Sequence, residues 1–421
     1  MKSKILLLAF LFSISCAMVS AQNPGEFISV NHKKVWVKTS GLEGRKFLQP
    51  LVILESGTGD HLEQFDKVFD QVAEFAPVLS YDRLGLGKSD STDNPISESR
   101  RVEELRELLA TMHLEPPYIF VGNDLGAVFS RAFALAYPEE VVGLIYLDPV
   151  SPWENTKDLV AQLNQEGKDG DALLSDYKAL QSKILANASS AQKEEVDFAM
   201  RILANENLTW ELDPALQIPL VVMLGRNKDI RTIVNPISSD GKLLNEKLIE
   251  NRINYFQELT SHQPNSTLLI SSNSASYLPL QASTAVSLLV QQVVLSEPLK
   301  RIWSASRTLD PSYFGRFISE LRTYIPSFLL SERDLNMIGY SLMRSDLYMH
   351  ALVLFEDNLK NHPNSANAYD SYGDGLFAVG RVQESLEAFQ MAVQLGEKES
   401  HRDLGLFIKN LKRSEEALSN D

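Results

Sequence analysis

Continuous apolar runs alternate with helical patterns through the first two thirds of the chain. The runs occupy residues 50–56, 77–82, 118–124, 141–148, 219–224 and 267–272. Runs that are apolar on both faces are typical of parallel strands covered by helices. Residues 97–112 and 126–137, which lie between runs, have helical spacing, and alternation over 26–39 predicts an opening hairpin. The predicted fold class is α/β, with a doubly wound, mostly parallel sheet.

The interval 149–217 has several helical stretches and no strand pattern. In a doubly wound sheet, the ligand crevice lies beyond the carboxyl ends of the strands. A long segment without strands at this position predicts a helical lid over that crevice. We therefore expect a small-molecule ligand in a pocket covered by the lid.

The C-terminal part of the chain contains an internal repeat. Segments 335–363 and 369–396 superimpose with an offset of 34 residues, which pairs Gly339 with Gly373, Ala351 with Ser385 and Phe355 with Phe389. Thirty-four residues is the tetratricopeptide period, so the region resembles two tetratricopeptide (TPR) helix–turn–helix units. An amphipathic helix at about 399–418 is expected to cover the open end.

Two units are fewer than the three that such arrays usually need. The repeats are therefore expected to pack against the last helix, the α/β domain or a partner. One interpretation is a concave surface that binds a protein partner, and the other is a stabilising or dimerising appendage. The predicted units are an α/β domain at 22–295, a helical connector at 296–332 and a TPR-like module at 333–421.

Residues 1–21 have the pattern of a signal peptide. Lys2 and Lys4 precede an apolar stretch at 5–12, and Val19-Ser20-Ala21 is a small-residue cleavage pattern. The pattern predicts export, to the periplasm or the medium. The apolar core is shorter than the roughly 20 residues that span a bilayer, so no integral membrane span is expected. The alternative is a lipid-attachment site at Cys16.

The net charge argues against a nucleic-acid partner, and the cysteine content excludes disulfides and thiolate zinc clusters. The formal net charge is −15, which would repel the phosphate backbone of a nucleic acid. The single cysteine allows neither an internal disulfide nor a thiolate zinc cluster. The sequence indicates no metal and no cofactor.

The fifth apolar run leads into a tight turn and a helix. Gly122 and Gly126 bracket Asp124, which is the nucleophile-elbow pattern with Asp in place of Ser. Residues without a Cβ let the turn close while the central side chain projects into the crevice. The exposed N–H groups at the start of the helix favour a negative charge there.

These motifs together resemble the α/β-hydrolase family over about residues 26–295. The matching segments are 55–59 (ESGTG), 81–89 (YDRLGLGKS), the elbow, and 225–229 (GRNKD). The resemblance implies an oxyanion hole formed by the backbone N–H groups of Thr58 and Leu125, with Gly57 in the same substrate-binding loop. It also places Asp229 at the position of the acid that orients a catalytic histidine.

An Asp at the elbow is similar to the haloalkane dehalogenase and epoxide hydrolase branches. There the carboxylate forms an ester that histidine-activated water then cleaves. Leu125 stands where a dehalogenase-like site carries Trp. The alternative interpretation is a degraded elbow in which Asp124 only caps its helix.

The catalytic histidine is missing from its expected position. Ser276 stands there, and no histidine lies between His262 and His350. Ser276 lacks an identifiable base that would make it a nucleophile. His61, which follows a predicted N-cap at Asp60, is the remaining histidine near the crevice, and its expected orientation is toward solvent. Two carboxylates, Asp124 and Asp229, facing one dry pocket would raise the pKa of at least one of them.

Two functional hypotheses follow. The first is an exported hydrolase of a small ester, epoxide or halide, which uses Asp124 and is impaired by the missing histidine. The second is an inactive pseudo-hydrolase that binds a ligand in its pocket or a protein on its TPR-like surface.

Overall fold

A computed structural model gives the fold. It describes residues 25–92, 95–150, 156–176, 188–204, 218–226, 239–272, 274, 277–296 and 298–419. The predicted signal peptide at 1–21 lies outside the described residues, as do parts of the predicted lid.

Eight strands form one sheet in the described part of the chain. The strand order is β1-β2-β4-β3-β5-β6-β7-β8. The first hairpin and the β2–β4 pair are antiparallel, and every other neighbouring pair is parallel. The predicted mostly parallel α/β sheet is confirmed. The strands are β1 Glu26–Val30, β2 Lys33–Ser40, β3 Leu51–Glu55, β4 Val78–Tyr81, β5 Tyr118–Asn123, β6 Val141–Leu147, β7 Leu220–Gly225 and β8 Ser266–Ser271.

Helices cover both faces of the sheet, because alternate residues of each inner strand point to opposite sides. Leu51 and Ile53 of β3 belong to one apolar cluster, and Val52 and Leu54 belong to the other. The first face is covered by α2 Glu98–Thr111, α3 Leu125–Ala136 and α6 Ser239–His262. The second face is covered by α1 Asp66–Val72 and α8 Ser283–Val294, which follows a short helix, α7 Leu278–Gln281.

Local chemistry sets the start of α2. The side chain of Ser97 accepts a hydrogen bond from the backbone N–H of Arg100, which satisfies one of the four free N–H groups in the first turn. The helical patterns predicted for residues 97–112 and 126–137 are confirmed to within one residue at each end.

Described helical residues lie within the predicted lid at 149–217, at 170–176 and in two longer helices. The two longer helices are α4 Thr156–Gln165 and α5 Ser190–Ala204. Leu159 and Leu163 of α4, and Ala199 and Ile202 of α5, are buried in the same cluster as α2 and α3. Both longer lid helices are therefore packed on the domain through apolar side chains.

The rest of the chain is helical. It contains α9 Pro298–Thr308, α10 Pro311–Leu321, α11 Glu332–Arg344, α12 Tyr348–Asn361, α13 Ala366–Ala378, α14 Val382–Glu399 and α15 Leu404–Ser419. The last helix begins later than the predicted residue 399. The reason is that α14 continues to Glu399 and ends at Ser400, whose φ of 53° is left-handed and stops the helix.

The paired positions of the repeat make equivalent contacts. A Cβ added to Gly339 would lie 2.3 Å from the Phe355 ring, and one added to Gly373 would lie 2.6 Å from the Phe389 ring. Both phenylalanines are fully buried. Each glycine therefore leaves the space that the aromatic ring of the next helix fills.

The helical region packs against the α/β domain. Phe47 and Leu48, from the loop before β3, lie against the cluster that contains Phe314 and Phe317 of α10. Arg301 donates one hydrogen bond to the carbonyl oxygen of Leu48, at 3.1 Å. These contacts place the C-terminal helices beside the entry to β3.

Among the described helices, none combines the length and the apolar character that a membrane crossing requires.

One buried carboxyl in the helical region makes stability depend on pH. Asp370 of α13 is 2% exposed and accepts a hydrogen bond from Asn410 of α15. Burial raises the pKa of Asp370 to about 7. Because this folded value exceeds the unfolded one, its contribution is complete below the unfolded pKa and is lost as the pH rises through about 7.

We therefore expect Asp370→Asn to stabilise the protein at pH 8, by about 1 kcal/mol or more. At pH 4 the substitution should have little effect. Thermal denaturation across this pH range measures the difference. Glu387→Gln, an exposed change on α14, is the control. An unchanged pH dependence in the Asp370→Asn variant would contradict the assignment.

Candidate functional site

The elbow residue has an unusual backbone conformation. Asp124 lies between the last residue of β5 and the first residue of α3, with φ 49° and ψ −115°. A non-glycine residue is rarely found with positive φ, and such strain is concentrated at functional sites. Its side chain makes no capping hydrogen bond to α3. Asp124 thus occupies the N-cap position of α3 without capping it through its side chain, and the expected capping role is wrong.

The two glycines of the elbow are required by close backbone contacts. A Cβ on Gly126 would lie 2.3 Å from the carbonyl oxygen of Glu55, and one on Gly122 would lie 2.5 Å from the backbone of Ala127. Any side chain at either position would push α3 away from β3 and β5. The glycines thus allow Asp124 to stand at the carboxyl edge of the central strands.

Thr58 holds the Asp124 carboxylate with two hydrogen bonds. Its backbone N–H lies 3.2 Å and its hydroxyl oxygen 2.6 Å from the same oxygen, Oδ2 of Asp124. Among the described residues, no donor contacts the other oxygen, Oδ1. The carboxylate therefore has one oxygen fixed and one directed elsewhere.

The other two residues predicted to bind substrate, Gly57 and Leu125, differ in whether their backbone N–H groups already have a partner. The N–H of Gly57 donates to the side chain of Gln64 at 2.9 Å, so it is already engaged. A Cβ on Gly57 would lie 2.8 Å from the Asn123 amide nitrogen, and hence the position admits only glycine without rearrangement. Leu125 begins α3 and is fully buried, with its N–H among those that lack a partner within the helix.

Two predicted site residues, Asp229 and Ser276, lie outside the described residues. The described residues that flank them are Arg226, directly after β7, and Ser274 and Tyr277, on either side of 275–276. The Ser274 hydroxyl accepts a hydrogen bond of 2.7 Å from Ser271 and is buried. This pairing fixes the start of the loop that follows β8.

All seven histidines are described, and none hydrogen-bonds to Asp124. The His61 side chain is 46% exposed, and its Nδ1 lies 3.8 Å from the carboxylate of Glu63. His61 itself, and not Asp60, is the N-cap residue of the short 3₁₀ helix Leu62–Phe65, and it makes no side-chain cap. The prediction of a cap at Asp60 is wrong, because the Asp60 side chain instead accepts a hydrogen bond from Gln64.

Asp60 and Tyr277 lie within electrostatic reach of Asp124. Burial, and then the charge of Asp124, raise the pKa of Asp60. Burial raises the pKa of Tyr277, and the charges of Asp60 and Asp124 raise it further. Neither residue is predicted from the sequence as a member of the site. The only signal for Asp60 was its position directly after the loop at 55–59.

A buried arginine lies behind the loop that carries Thr58. Arg83 is 3% exposed and contacts two buried carboxylates, Glu55 at the end of β3 and Glu195 on lid helix α5. It also donates to the carbonyl oxygens of Ser56 and Gly57, both at 2.7 Å. One guanidinium therefore connects the sheet, the loop and the lid.

Burial and the neighbouring charges act in opposite directions on the pKa of each member of this cluster. Burial would lower the pKa of Arg83, but Glu195 and Glu55 more than offset it, and the pKa is raised. Burial would raise the pKa of Glu195, but Arg83 holds it below its usual value. For Glu55 burial prevails, and its pKa is raised. The Arg83–Glu195 contact is therefore a pair of full charges, whereas Glu55 shares its oxygens with the Tyr81 hydroxyl at 2.6 Å.

The lid contacts the oxyanion loop directly. The N–H of Gly59 donates to Glu195 at 2.8 Å, and the Gln192 amide donates to the carbonyl oxygen of Gly59 at 2.9 Å. Arg101 of α2 adds a further hydrogen bond to Glu195, at 3.1 Å. The position of α5 therefore fixes the backbone on either side of Gly59, next to Thr58.

A comparison with protein families identifies the family of this chain. Residues 49–285 match the family of the alpha/beta hydrolase fold, which is more than half of the chain. The chain belongs to this family. The elbow and the loop at 55–59 both lie within the matched residues.

Known relatives of this alpha/beta hydrolase match only part of the chain. The uncharacterized protein YqjL of Bacillus subtilis is 29% identical over 98 residues, which cover 23% of this chain and 39% of the relative. The 1-acylglycerol-3-phosphate O-acyltransferase ABHD5 of Sus scrofa is 32% identical over 124 residues, which cover 28% and 34%. The chain thus spans less than half the length of either of these relatives.

Two solved structures resemble part of the chain at low identity and with low TM-scores. An esterase from Thermogutta terrifontis is 17% identical, with a TM-score of 0.42, and the match covers 64% of this chain and 97% of the esterase. An enol-lactonase from Burkholderia xenovorans LB400 is 16% identical, with a TM-score of 0.43, and covers 65% and 100%.

We expect Glu195→Gln to destabilise this alpha/beta hydrolase by about 3 kcal/mol. The amide nitrogen would face the donors of Gly59 and Arg83, and Arg83 would lose a buried countercharge. Thermal denaturation and the rate of proteolysis in the lid measure the loss. Asp197→Asn, on the exposed side of the same helix, is the matched control. Equal stability of the two variants would contradict the role of the Arg83 cluster.

Proposed function

We propose that this chain is an exported hydrolase that attacks a small ester, epoxide or halide with the carboxylate of Asp124 and completes the reaction slowly. The observation that carries the proposal is the pair of hydrogen bonds from Thr58 to one oxygen of Asp124. Export rests on the signal-peptide pattern at residues 1–21.

The hydrogen bonds suit a carboxylate that acts as a nucleophile. Attack by Oδ1 on a saturated carbon expels halide from a halide, expels the carboxylate from the alkyl carbon of an ester, or opens the C–O bond of an epoxide, whose oxygen takes a proton from solvent. Each gives an ester of Asp124 in which Oδ2 is the carbonyl oxygen. When water later adds to Cγ, negative charge develops on Oδ2, between the two donors of Thr58. Donors fixed in advance at an oxygen that becomes charged stabilise the transition state. The same arrangement would serve no purpose in a serine nucleophile, which has one oxygen.

The second step is expected to be the slow one. Water must lose a proton as it attacks the ester, and a positioned base contributes typically 10²–10⁴-fold to such a step. None of the histidines hydrogen-bonds to Asp124, and His61 faces Glu63. The position expected for the catalytic histidine carries Ser276. An enzyme of this kind forms its ester intermediate faster than it hydrolyses it.

The alternative function is binding without turnover, through the pocket or through the C-terminal helices. The observation that favours it is the exposure of large apolar side chains on those helices, with Met337 56% and Met349 50% exposed. Exposed methionines are frequent on surfaces that bind varied partners. In this alternative the TPR-like module would hold a protein partner.

Trapping the intermediate distinguishes the two functions. The full mature chain is incubated with a small epoxide or alkyl halide, and the elbow peptide is analysed by mass spectrometry. We expect an adduct on Asp124 that accumulates within one turnover and is absent from Asp124→Ala. Thr58→Val should slow loss of the adduct by about 10²-fold, because one donor to the developing charge is removed.

Asp70→Asn, an exposed substitution on α1, is the control and should leave the adduct unchanged. If neither an adduct nor product forms with any electrophile while a ligand still raises the melting temperature, the binding function replaces the proposal.

A further inference from the structure

We propose that Asp60 is the proton acceptor that activates water for hydrolysis of the ester on Asp124. This inference rests on the proposed function, and it assigns to a carboxylate of the oxyanion loop a step that usually belongs to histidine. Asp60 would touch the attacking water and would therefore be a catalytic residue.

The loop places Asp60 on the same side of the sheet as Asp124. The N–H of Asp60 donates to the carbonyl oxygen of Gly57 at 3.2 Å, which closes a turn around Thr58, the residue that holds Asp124. Thr58 and Asp60 are both half-buried, as is Asp124. In the proposed step, a water molecule at Cγ of Asp124 would give its proton to the carboxylate at the end of this turn.

Gln64 fixes the Asp60 side chain. Its amide nitrogen donates to Oδ2 of Asp60 at 2.7 Å, while its amide oxygen accepts from the N–H of Gly57. A Cβ on Gly57 would lie 3.4 Å from that amide nitrogen and 3.5 Å from Cβ of Asp124. The group that holds Asp60 thus lies just across Gly57 from the nucleophile. No described residue donates to Oδ1 of Asp60, and this oxygen remains available for a water molecule.

Two buried carboxylates behind the loop at 55–59, Glu195 and Glu55, already accept several hydrogen bonds. Glu195 accepts hydrogen bonds from Arg83, Arg101 and Gly59, and Glu55 accepts from Arg83 and Tyr81. Asp60 forms no salt bridge among the described residues. In contrast to Glu55 and Glu195, Asp60 has no arginine in direct contact among the described residues, so its proton affinity is not suppressed in that way.

The electrostatic surroundings of Asp60 make its carboxylate a stronger base than an exposed one. Burial and the negative charge of Asp124 raise the pKa of Asp60, as does Glu195 more weakly, whereas His61 and Arg83 lower it. Tyr277 faces both carboxylates from the segment after β8. A carboxylate with a raised pKa is a stronger base than an exposed one.

The proposed step balances in atoms and charge. The oxygen of water bonds to Cγ of Asp124, and its proton passes to Asp60 while the negative charge moves to Oδ2. As the carbonyl re-forms, the bond between Cγ and Oδ1, the oxygen that joins Asp124 to the substrate carbon, breaks. The proton on Asp60 moves to that oxygen and the alcohol leaves. Asp124, now a carboxylic acid, loses its proton to solvent.

The test compares how long the ester survives in three forms of the mature chain. The wild type, Asp60→Asn and His61→Ala are loaded with the same small epoxide, and loss of the adduct from the elbow peptide is followed by mass spectrometry. We expect loss from Asp60→Asn to be 10²-fold or more slower, with loading unchanged. Above the pKa of Asp60, His61→Ala should lose the adduct at the wild-type rate, because the His61 ring faces Glu63 and acts on Asp60 only through its charge.

A pH profile supplies a second readout that a merely structural effect would not produce. In the wild type, adduct loss should accelerate as the pH rises through the pKa of Asp60, because the base must be ionised. In Asp60→Asn that acidic limb should disappear. Melting temperatures check that the variant is folded.

Three outcomes are distinguishable. Equal adduct lifetimes in the wild type and Asp60→Asn overturn the inference and leave the proposed function intact. Slow loss in His61→Ala alone would assign the role to His61 and also overturn it. No adduct in any form would refute the proposed function itself.

Discussion

The arrangement of the site depends on the buried contact between Arg83 and Glu195. The two side chains lie 2.7 Å apart and are almost completely excluded from water. Removing either charge would leave the other buried without a partner, which costs several kcal/mol. Because Arg83 also binds the carbonyl groups of Ser56 and Gly57, the same contact fixes the loop that presents Thr58.

This contact joins helix α5 to the loop that holds the Asp124 carboxylate. Glu195 is on α5, and it accepts the N–H of Gly59 as well as the guanidinium. A lid that moved away would take a countercharge from Arg83 and a hydrogen-bond partner from Gly59 together. The conformation of the loop at 55–59 therefore depends on the position of α5, and so do the hydrogen bonds from Thr58 to Asp124.

At the elbow, close backbone contacts determine the position of the Asp124 side chain. Asp124 has a strained positive φ, and the missing side chains of Gly122 and Gly126 let α3 approach β3 closely. The apolar core on both faces of the sheet holds this strain. The C-terminal helices follow the same steric rule, since Gly339 and Gly373 leave the space occupied by phenylalanine rings.

Periodicity and motif spacing in the sequence determined the α/β sheet, the elbow and the helical C-terminal region. These features follow from local patterns: apolar runs, bracketing glycines and a repeat of 34 residues. Only the tertiary structure decided that Arg83 and Glu195, 112 residues apart, form an ion pair, that Asp60 binds Gln64 instead of capping a helix, and that His61 turns to Glu63. Side-chain partners of this kind depend on how the folded segments pack. The spacing of residues along a single sequence does not predict that packing.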